Sequence, residues 1–239
     1  MLASSSSLLI LALVLLISNP LVVAEWIISS YQPPSGVTFH AVDCHQQVCF
    51  AVGGSGSVVR SMDGGKHWTT VPMNTTKQLT SVAVLPSNRV VVGGHNGYYA
   101  HLTGSGTLIS GGSRPFGVTY AIEDMQFFNS TNGVAVSGYT KYWRTINGGL
   151  AWQAVTIAGA NQYTQSIDCL KEEEKGNSHC LIGTYKGQVW IKRNSSNLWD
   201  KRASANTLLN AGDYATAMYA NGAQNLFAIV YHGGWFILQ

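Results

Sequence analysis

The chain has 239 residues, of which only 10% are charged against about a quarter in an average soluble domain, and its formal net charge is +3. The sparse Lys and Arg form no basic run, which argues against a phosphate-tracking surface and excludes nucleic acid as an expected partner. With 26 glycines, 11 tyrosines and 7 tryptophans, the composition is that of short strands joined by tight turns.

The first segment, residues 1–24, has a polar start, an apolar run from Leu8 to Ile17, and small side chains at Val22 and Ala24. This is the pattern of a secretory signal peptide cleaved near Ala24, because the run is short for a membrane span and no second hydrophobic segment follows. The mature chain, 25–239, is therefore expected to be secreted or luminal, without stable membrane insertion after cleavage. Its 215 residues (239 less 24) suffice for a single all-β domain with a sizeable core.

Five apolar stretches then open five similar units: "GVTFHAVDC", "LTSVAVL", "YAIEDMQFF", "TQSIDCL" and "YATAMYA". Each is followed by a turn and a second stretch ending near glycine, as in "CFAVGG", "RVVVGG" and "GVAVSG", the signature of antiparallel hairpins. A third strand then leads into an eight-residue turn. "SMDGGKHW" sets the template with Ser61, Asp63, Gly65 and Trp68; "TINGGLAW" repeats it with Thr145, Asn147, Gly149 and Trp152; "KRNSSNLW" keeps Asn194 and Trp199; "HLTGSGTL" retains Thr103 and puts Leu108 in the tryptophan's place. The third positions, 63, 103, 147 and 194, are spaced by 40, 44 and 47 residues, the period of a propeller blade.

In such a turn a Ser or Thr hydroxyl and an Asp or Asn side-chain oxygen accept backbone N–H groups, while glycine supplies positive φ. Asn for Asp preserves that role, whereas a catalytic acid would not survive the exchange, so the motif reads as architecture. The fifth unit stops at "WFILQ" with no such turn, and "EWIISSYQPPSG" has the look of "HWTTVPMNTTKQ". Trp26 to Ser30 is therefore expected to form the outer strand of the last blade, closing a propeller of five four-stranded blades and removing its free edges.

Cys44/Cys49 and Cys169/Cys180 fall in similar contexts, "VDC…CFAVG" and "IDC…CLIG", across the first turn of the first and fourth units. In a secreted chain they read as two hairpin disulfides, since their spacings fit no zinc pattern. The histidines are scattered over different turns, so neither a metal nor another cofactor is expected. Asn74, Asn129 and Asn194 begin glycosylation sequons. Propeller ligands usually meet the face carrying the loops between second and third strands; here those loops bring His95, Tyr139, Lys141, Tyr185, Lys186, Tyr231 and His232 together as candidate ligand-binding residues.

The eight-residue turns resemble the Asp-box, or bacterial neuraminidase repeat, Ser-x-Asp-x-Gly-x-x-Trp, which the first copy matches at every position. The longer "AVGGSGSVVRSMDGGKHWTTV" is similar to the propeller repeats of photosystem II stability and assembly factors. The first resemblance implies a sialidase-like glycoside hydrolase. Yet the arginines are Arg60, Arg89, Arg114, Arg144, Arg193 and Arg202, with no Arg-Ile-Pro ahead of the first turn. The carboxylates Asp43, Glu123 or Asp124, and Asp168 recur at similar points of the first strands, which reads as a repeated contact before it reads as the carboxylate pair of glycoside hydrolysis. The second resemblance implies an assembly factor for a membrane complex. The reading that remains first is a non-catalytic propeller binding a protein or a glycan, with the hydrolase and the assembly factor as alternatives.

Overall fold

A computed structural model of the protein describes residues 31–113, 116–117, 119–138, 140–158, 160, 163–172, 177–184, 189–192, 199–202, 214–220, 226–231 and 235–238. Every regular element of more than one turn among them is a strand. β1 (Phe39–His45), β2 (Val48–Gly53), β3 (Val58–Ser61) and β4 (Thr69–Val71) form one antiparallel sheet in sequence order. β5 (Leu79–Leu85), β6 (Arg89–Gly94), β7 (Tyr99–Thr103) and β8 (Leu108–Ser113) form a second. The third comprises β9 (Ile122–Phe127), β10 (Gly133–Ser137), β11 (Lys141–Thr145) and β12 (Gln153–Thr156), and the fourth β13 (Thr164–Glu172), β14 (Asn177–Thr184), β15 (Val189–Lys192) and β16 (Trp199–Arg202). The last, β17 (Tyr214–Ala220), β18 (Leu226–Tyr231) and β19 (Trp235–Leu238), has three strands among the described residues. Trp26 to Ser30, expected to supply its fourth, lies outside them.

The first strand of each sheet packs against the first strand of the next: β1 beside β5, β5 beside β9, β9 beside β13, β13 beside β17. Apolar layers fill the spaces between sheets. Phe50, Val52 and Val58 of the first meet Val82, Val84, Val90 and Val92 of the second. Ala83, Leu85, Val91 and Tyr99 on the other face of that second sheet meet Ile122, Met125, Ala135 and Trp143 of the third. Val134, Val136 and Tyr142 then meet Ile167, Ile182 and Trp190 of the fourth. In β5, "LTSVAVL", the run from Val82 to Leu85 is apolar at every position because both faces of the strand are covered; alternation would leave one of them polar against a neighbour. β1 differs. Its Phe39, Ala41, Asp43 and His45 face is half-buried toward the second sheet, while Val42 on the other face is 65% exposed.

All five first strands share one irregularity. Their register against the second strand slips by one residue, leaving His40, Thr80, Glu123, Gln165 and Thr216 as the extra residue near the start. A bulge at one repeated place bends and twists each inner strand in the same way. It also aligns the units without reference to side chains, placing Asp43, Gln126 and Asp168 three residues beyond the bulge and Asp124 only one beyond. The expectation that Glu123 or Asp124 is the counterpart of Asp43 and Asp168 is thereby corrected: Glu123 is the extra residue itself, and the counterpart is Gln126.

Both expected disulfides are formed, each between directly opposed residues of a first hairpin: Cys44–Cys49 joins β1 to β2, and Cys169–Cys180 joins β13 to β14. The two bonds differ in how far they are buried. Cys44 is exposed at the open edge of β1, but Cys49 is only 2% exposed and belongs to the core, because β2 is buried from that residue onward. Cys169 and Cys180 are likewise core residues, packed between the third and fourth sheets. Cys49, Cys169 and Cys180 thus serve the fold and take no part in a ligand-facing surface.

Candidate functional site

Two ends of the sheets have different chemistry. At one end lie the turns within the first hairpins and the eight-residue turns. At the other lie the loops joining second to third strands and the connections between sheets.

The eight-residue turns are closed by their own side chains. Ser61 Oγ accepts the Gly65 N–H at 2.8 Å and donates to Asp63 Oδ1 at 2.7 Å, and Asp63 Oδ1 accepts the His67 N–H at 2.9 Å. Asp63 Oδ2 stands 2.6 Å from His67 Nδ1, and these hydrogen bonds, the backbone one foremost, hold the carboxyl well below the usual carboxylate range. The third sheet repeats the geometry with Thr145 Oγ1 accepting the Gly149 N–H at 3.0 Å and Asn147 Oδ1 accepting the Ala151 N–H at 2.9 Å. In the second sheet's turn Thr103 Oγ1 accepts the Thr107 N–H at 3.0 Å. Trp68 Nε1 donates to Gly65 O, but Trp152 Nε1 donates to the Tyr99 hydroxyl, which in turn donates to Gly149 O at 2.8 Å. A residue of the second sheet is thus inserted into the third sheet's turn, and Phe116 packs over Trp152 with ring centroids 5.2 Å apart. Trp199 opens β16 with its side chain outside the description, and Asn194 lies outside the described residues.

The inner strands present carboxylates, and Asp43, Asp124 and Asp168 are each engaged with a neighbouring sheet. An inner strand is an edge strand whose outward N–H groups lack a ladder partner. Asp43 Oδ2 accepts the Val84 N–H at 2.7 Å, Asp124 Oδ2 the Ile167 N–H at 3.0 Å, and Gln126 Oε1 the Cys169 N–H at 2.7 Å. In every case position k of one strand serves position k+1 of the next, counted from the bulge. Gln126 Nε2 also donates to Asp168 Oδ1 at 2.8 Å. Where the second sheet has Ala83 in place of an acceptor, Thr80 and Ser81 donate instead to Ile122 O, at 2.7 and 2.9 Å. Burial pushes Asp124 up to about 7, with the nearby charges of Asp168 and Asp43 adding to the shift. Burial also raises Asp43 and Glu123. Among the described residues no three His, Cys, Asp or Glu side chains come together as metal ligands.

At the loop end, His95 and Lys141 are exposed. Tyr139, Tyr185, Lys186 and His232 lie outside the described residues, and Tyr231 ends β18 with its side chain outside the description. Two further groups were missed in the sequence. His40 Nε2 and Gln78 Nε2 are 3.1 Å apart, and Gln78 O accepts the His95 N–H at 2.8 Å, so these three sit together between the first two sheets. Tyr120 and Tyr163, each 44% exposed, meet edge to face with centroids 5.7 Å apart and planes at 67°. Tyr163 directly precedes β13 and Tyr120 lies two residues before β9, and Tyr120 was absorbed into the apolar stretch "YAIEDMQFF". Their place in the connection, common to both units, was the available signal.

No family model matches the sequence, and no curated protein does. Solved structures resemble it. YCF48 bound to D1 peptide is matched with a TM-score of 0.60 at 11% identity, covering 86% of this chain and 64% of that one. YCF48 from Cyanidioschyzon merolae gives 0.61 at 12%, covering 90% and 73%. An ancestral GH74 enzyme gives 0.61 at 17%, covering 90% and 33%, and the WD40 β-propeller domain of Doa1 gives 0.57 at 13%, covering 82% and 66%. The chain is a β-propeller. At these identities the likeness carries the fold alone, and the propeller here spans less than two thirds of the first-named protein's length. No helix among the described residues is long and apolar enough to cross a membrane.

Proposed function

We propose that this chain is a secreted, non-catalytic propeller that holds a protein or glycan partner on its loop face. The supporting observation is the division of labour between the two kinds of polar side chain. The acids Asp43, Asp124 and Asp168 are occupied in joining inner strands, whereas exposed His95, Lys141, Tyr120 and Tyr163 collect at the loops. A structural neighbour of the same architecture is one bound to a peptide, which favours a protein partner. In this reading cleavage near Ala24 releases the domain 25–239, and Trp26 to Ser30 completes the fifth blade as its fourth strand. The eight-residue turns are Asp-boxes serving as rivets, and exposed Asn74 is a glycan acceptor. The test is binding of the purified mature protein to peptide and glycan arrays; silence on both defeats the reading.

A second reading is a glycoside hydrolase, favoured by Asp124, whose pKa of about 7 and acidic neighbours suit a general acid. Turnover of a polysaccharide panel that is lost in Asp124→Asn establishes it. An assembly factor for a membrane complex is a special case of the first reading, and co-purification with such a complex distinguishes it.

A further inference from the structure

The Tyr120–Tyr163 pair is built more rigidly than two exposed side chains need to be. Gly138 has φ +79°, and a methyl group there would stand 2.8 Å from the Tyr120 ring, so the ring packs closely against the backbone at Gly138. The other side of the loop is pinned from the fourth blade. Thr164, the residue after Tyr163, donates its hydroxyl to both Gly138 O and Lys141 O at 3.2 Å. Thr140, with φ +58°, accepts the Ile157 N–H at 2.9 Å. Gly138, Thr140, the backbone of Lys141 and the two tyrosines Tyr120 and Tyr163 therefore form one unit spanning two blades. Two rings at 67° make an open corner with one π-face on each wall, and Lys141 stands exposed on the same loop.

Among the described residues of the loops and connections at this end, the charged side chains are Lys77 and Lys141, and no carboxylate is present. The nearest acid in sequence, Glu123, is half-buried in β9. A sugar stacked on tyrosine would want carboxylate or amide acceptors for its hydroxyls beside the ring, and the described residues of the corner supply a cation and hydroxyls instead. A corner of two aromatic walls receives a side chain projecting from an extended backbone, and the exposed Lys141 then selects its flanking residues.

We propose that the Tyr120–Tyr163 corner is the anchor for an extended acidic peptide segment, which lays one apolar or aromatic side chain against the exposed faces of the two rings and sets a carboxylate against Lys141. This rests on the binding-module reading above and names its site and ligand. Because the corner is preformed, little conformational entropy is lost on binding, and the affinity resides in a few residues.

The mature protein is applied to an array of random-sequence dodecapeptides, and selected peptides are then measured by fluorescence anisotropy. Binders are expected to be enriched in Asp and Glu around an apolar or aromatic residue. Tyr120→Ala and Tyr163→Ala should each weaken them by about tenfold, and Lys141→Glu by a similar factor with loss of salt dependence. Met62→Ser, on the opposite face, should leave affinity unchanged, and a thermal melt confirms that each variant is folded. Binders that are neutral or basic, or acidic binders indifferent to Tyr120→Ala, overturn this site while leaving a peptide-binding propeller in place. Binding only to an acidic oligosaccharide such as oligogalacturonate overturns the peptide ligand. An array with no binder at all overturns both the site and the protein-partner reading on which it rests.

Discussion

Thr145 offers a clean test of whether the eight-residue turns are rivets. Its hydroxyl accepts the N–H of Gly149 at 3.0 Å and more weakly that of Asn147 at 3.3 Å, and donates to Asn147 Oδ1 at 2.9 Å, from a side chain only 4% exposed. Valine replaces the hydroxyl by a methyl group of nearly the same shape, so packing is kept and the hydrogen bonds alone are removed. The Gly149 N–H is then buried without a partner, at a cost of about 1–3 kcal/mol, and the Asn147 side chain loses its orienting donor. A loss of about 2–3 kcal/mol corresponds to a melting temperature about 5–10 °C lower for a domain of this size. Serine restores the hydroxyl and should recover most of that loss. The assay is paired thermal and urea unfolding of wild type, Thr145→Val and Thr145→Ser. A loss with Ser as large as that with Val would show that the methyl group's packing matters as much as the hydroxyl's bonds, and no loss with Val would remove the turn's hydrogen bonds from the stability account.

The inner-strand hydrogen bonds make a second expectation: Asp43→Leu should strand the Val84 N–H and cost about 1–3 kcal/mol in urea unfolding, while Asp43→Asn, which keeps an acceptor oxygen, should cost less than half as much. Asp124 predicts a pH trend. Its folded pKa of about 7 lies above the value near 4 of an unfolded chain, so the folded state holds a proton between those limits and stability falls as pH rises toward 7. The full shift would amount to about 4 kcal/mol, reduced to on the order of 2 by the solvent the group retains, and Asp124→Asn should flatten this part of the urea midpoint profile. His101 acts with the opposite sign: burial and the Arg89 guanidinium lower its pKa, so stability is lost as pH falls below about 6.5, and His101→Gln should lessen the loss. Finally, the Cys44–Cys49 disulfide is open to solvent at Cys44 although Cys49 is buried, while Cys169 and Cys180 are both buried, so mild reductant followed by alkylation and mass measurement should label the first pair well before the second. Simultaneous labelling would contradict the difference in access.

The repeat was legible because its chemistry is local. Ser61, Asp63, Gly65 and Trp68 bond to one another within eight residues, so the same letters recur wherever the same turn is made, and the Asn147 copy keeps the geometry of Asp63. The cysteine pairs were legible for the same reason: a short hairpin brings its two strands together whatever surrounds it. That Cys49 is sealed in the core and its partner is not was illegible, since burial depends on what covers each strand. The paired tyrosines were not legible either, since Tyr120 and Tyr163 are 43 positions apart and meet only because the fourth blade's entry is packed over the third blade's loop. Nor was the true counterpart of Asp43, because a bulge changes the residue count along an inner strand without leaving a mark in composition.

By itself, then, the sequence determined the period, the turn chemistry and the strand-rich class, all set by interactions between residues close in the chain. Only the tertiary structure decided what the acids do and where the exposed aromatics gather. Those outcomes depend on which strand edge faces which neighbour, and the unpaired N–H groups of one blade are met by side chains of another some forty residues away.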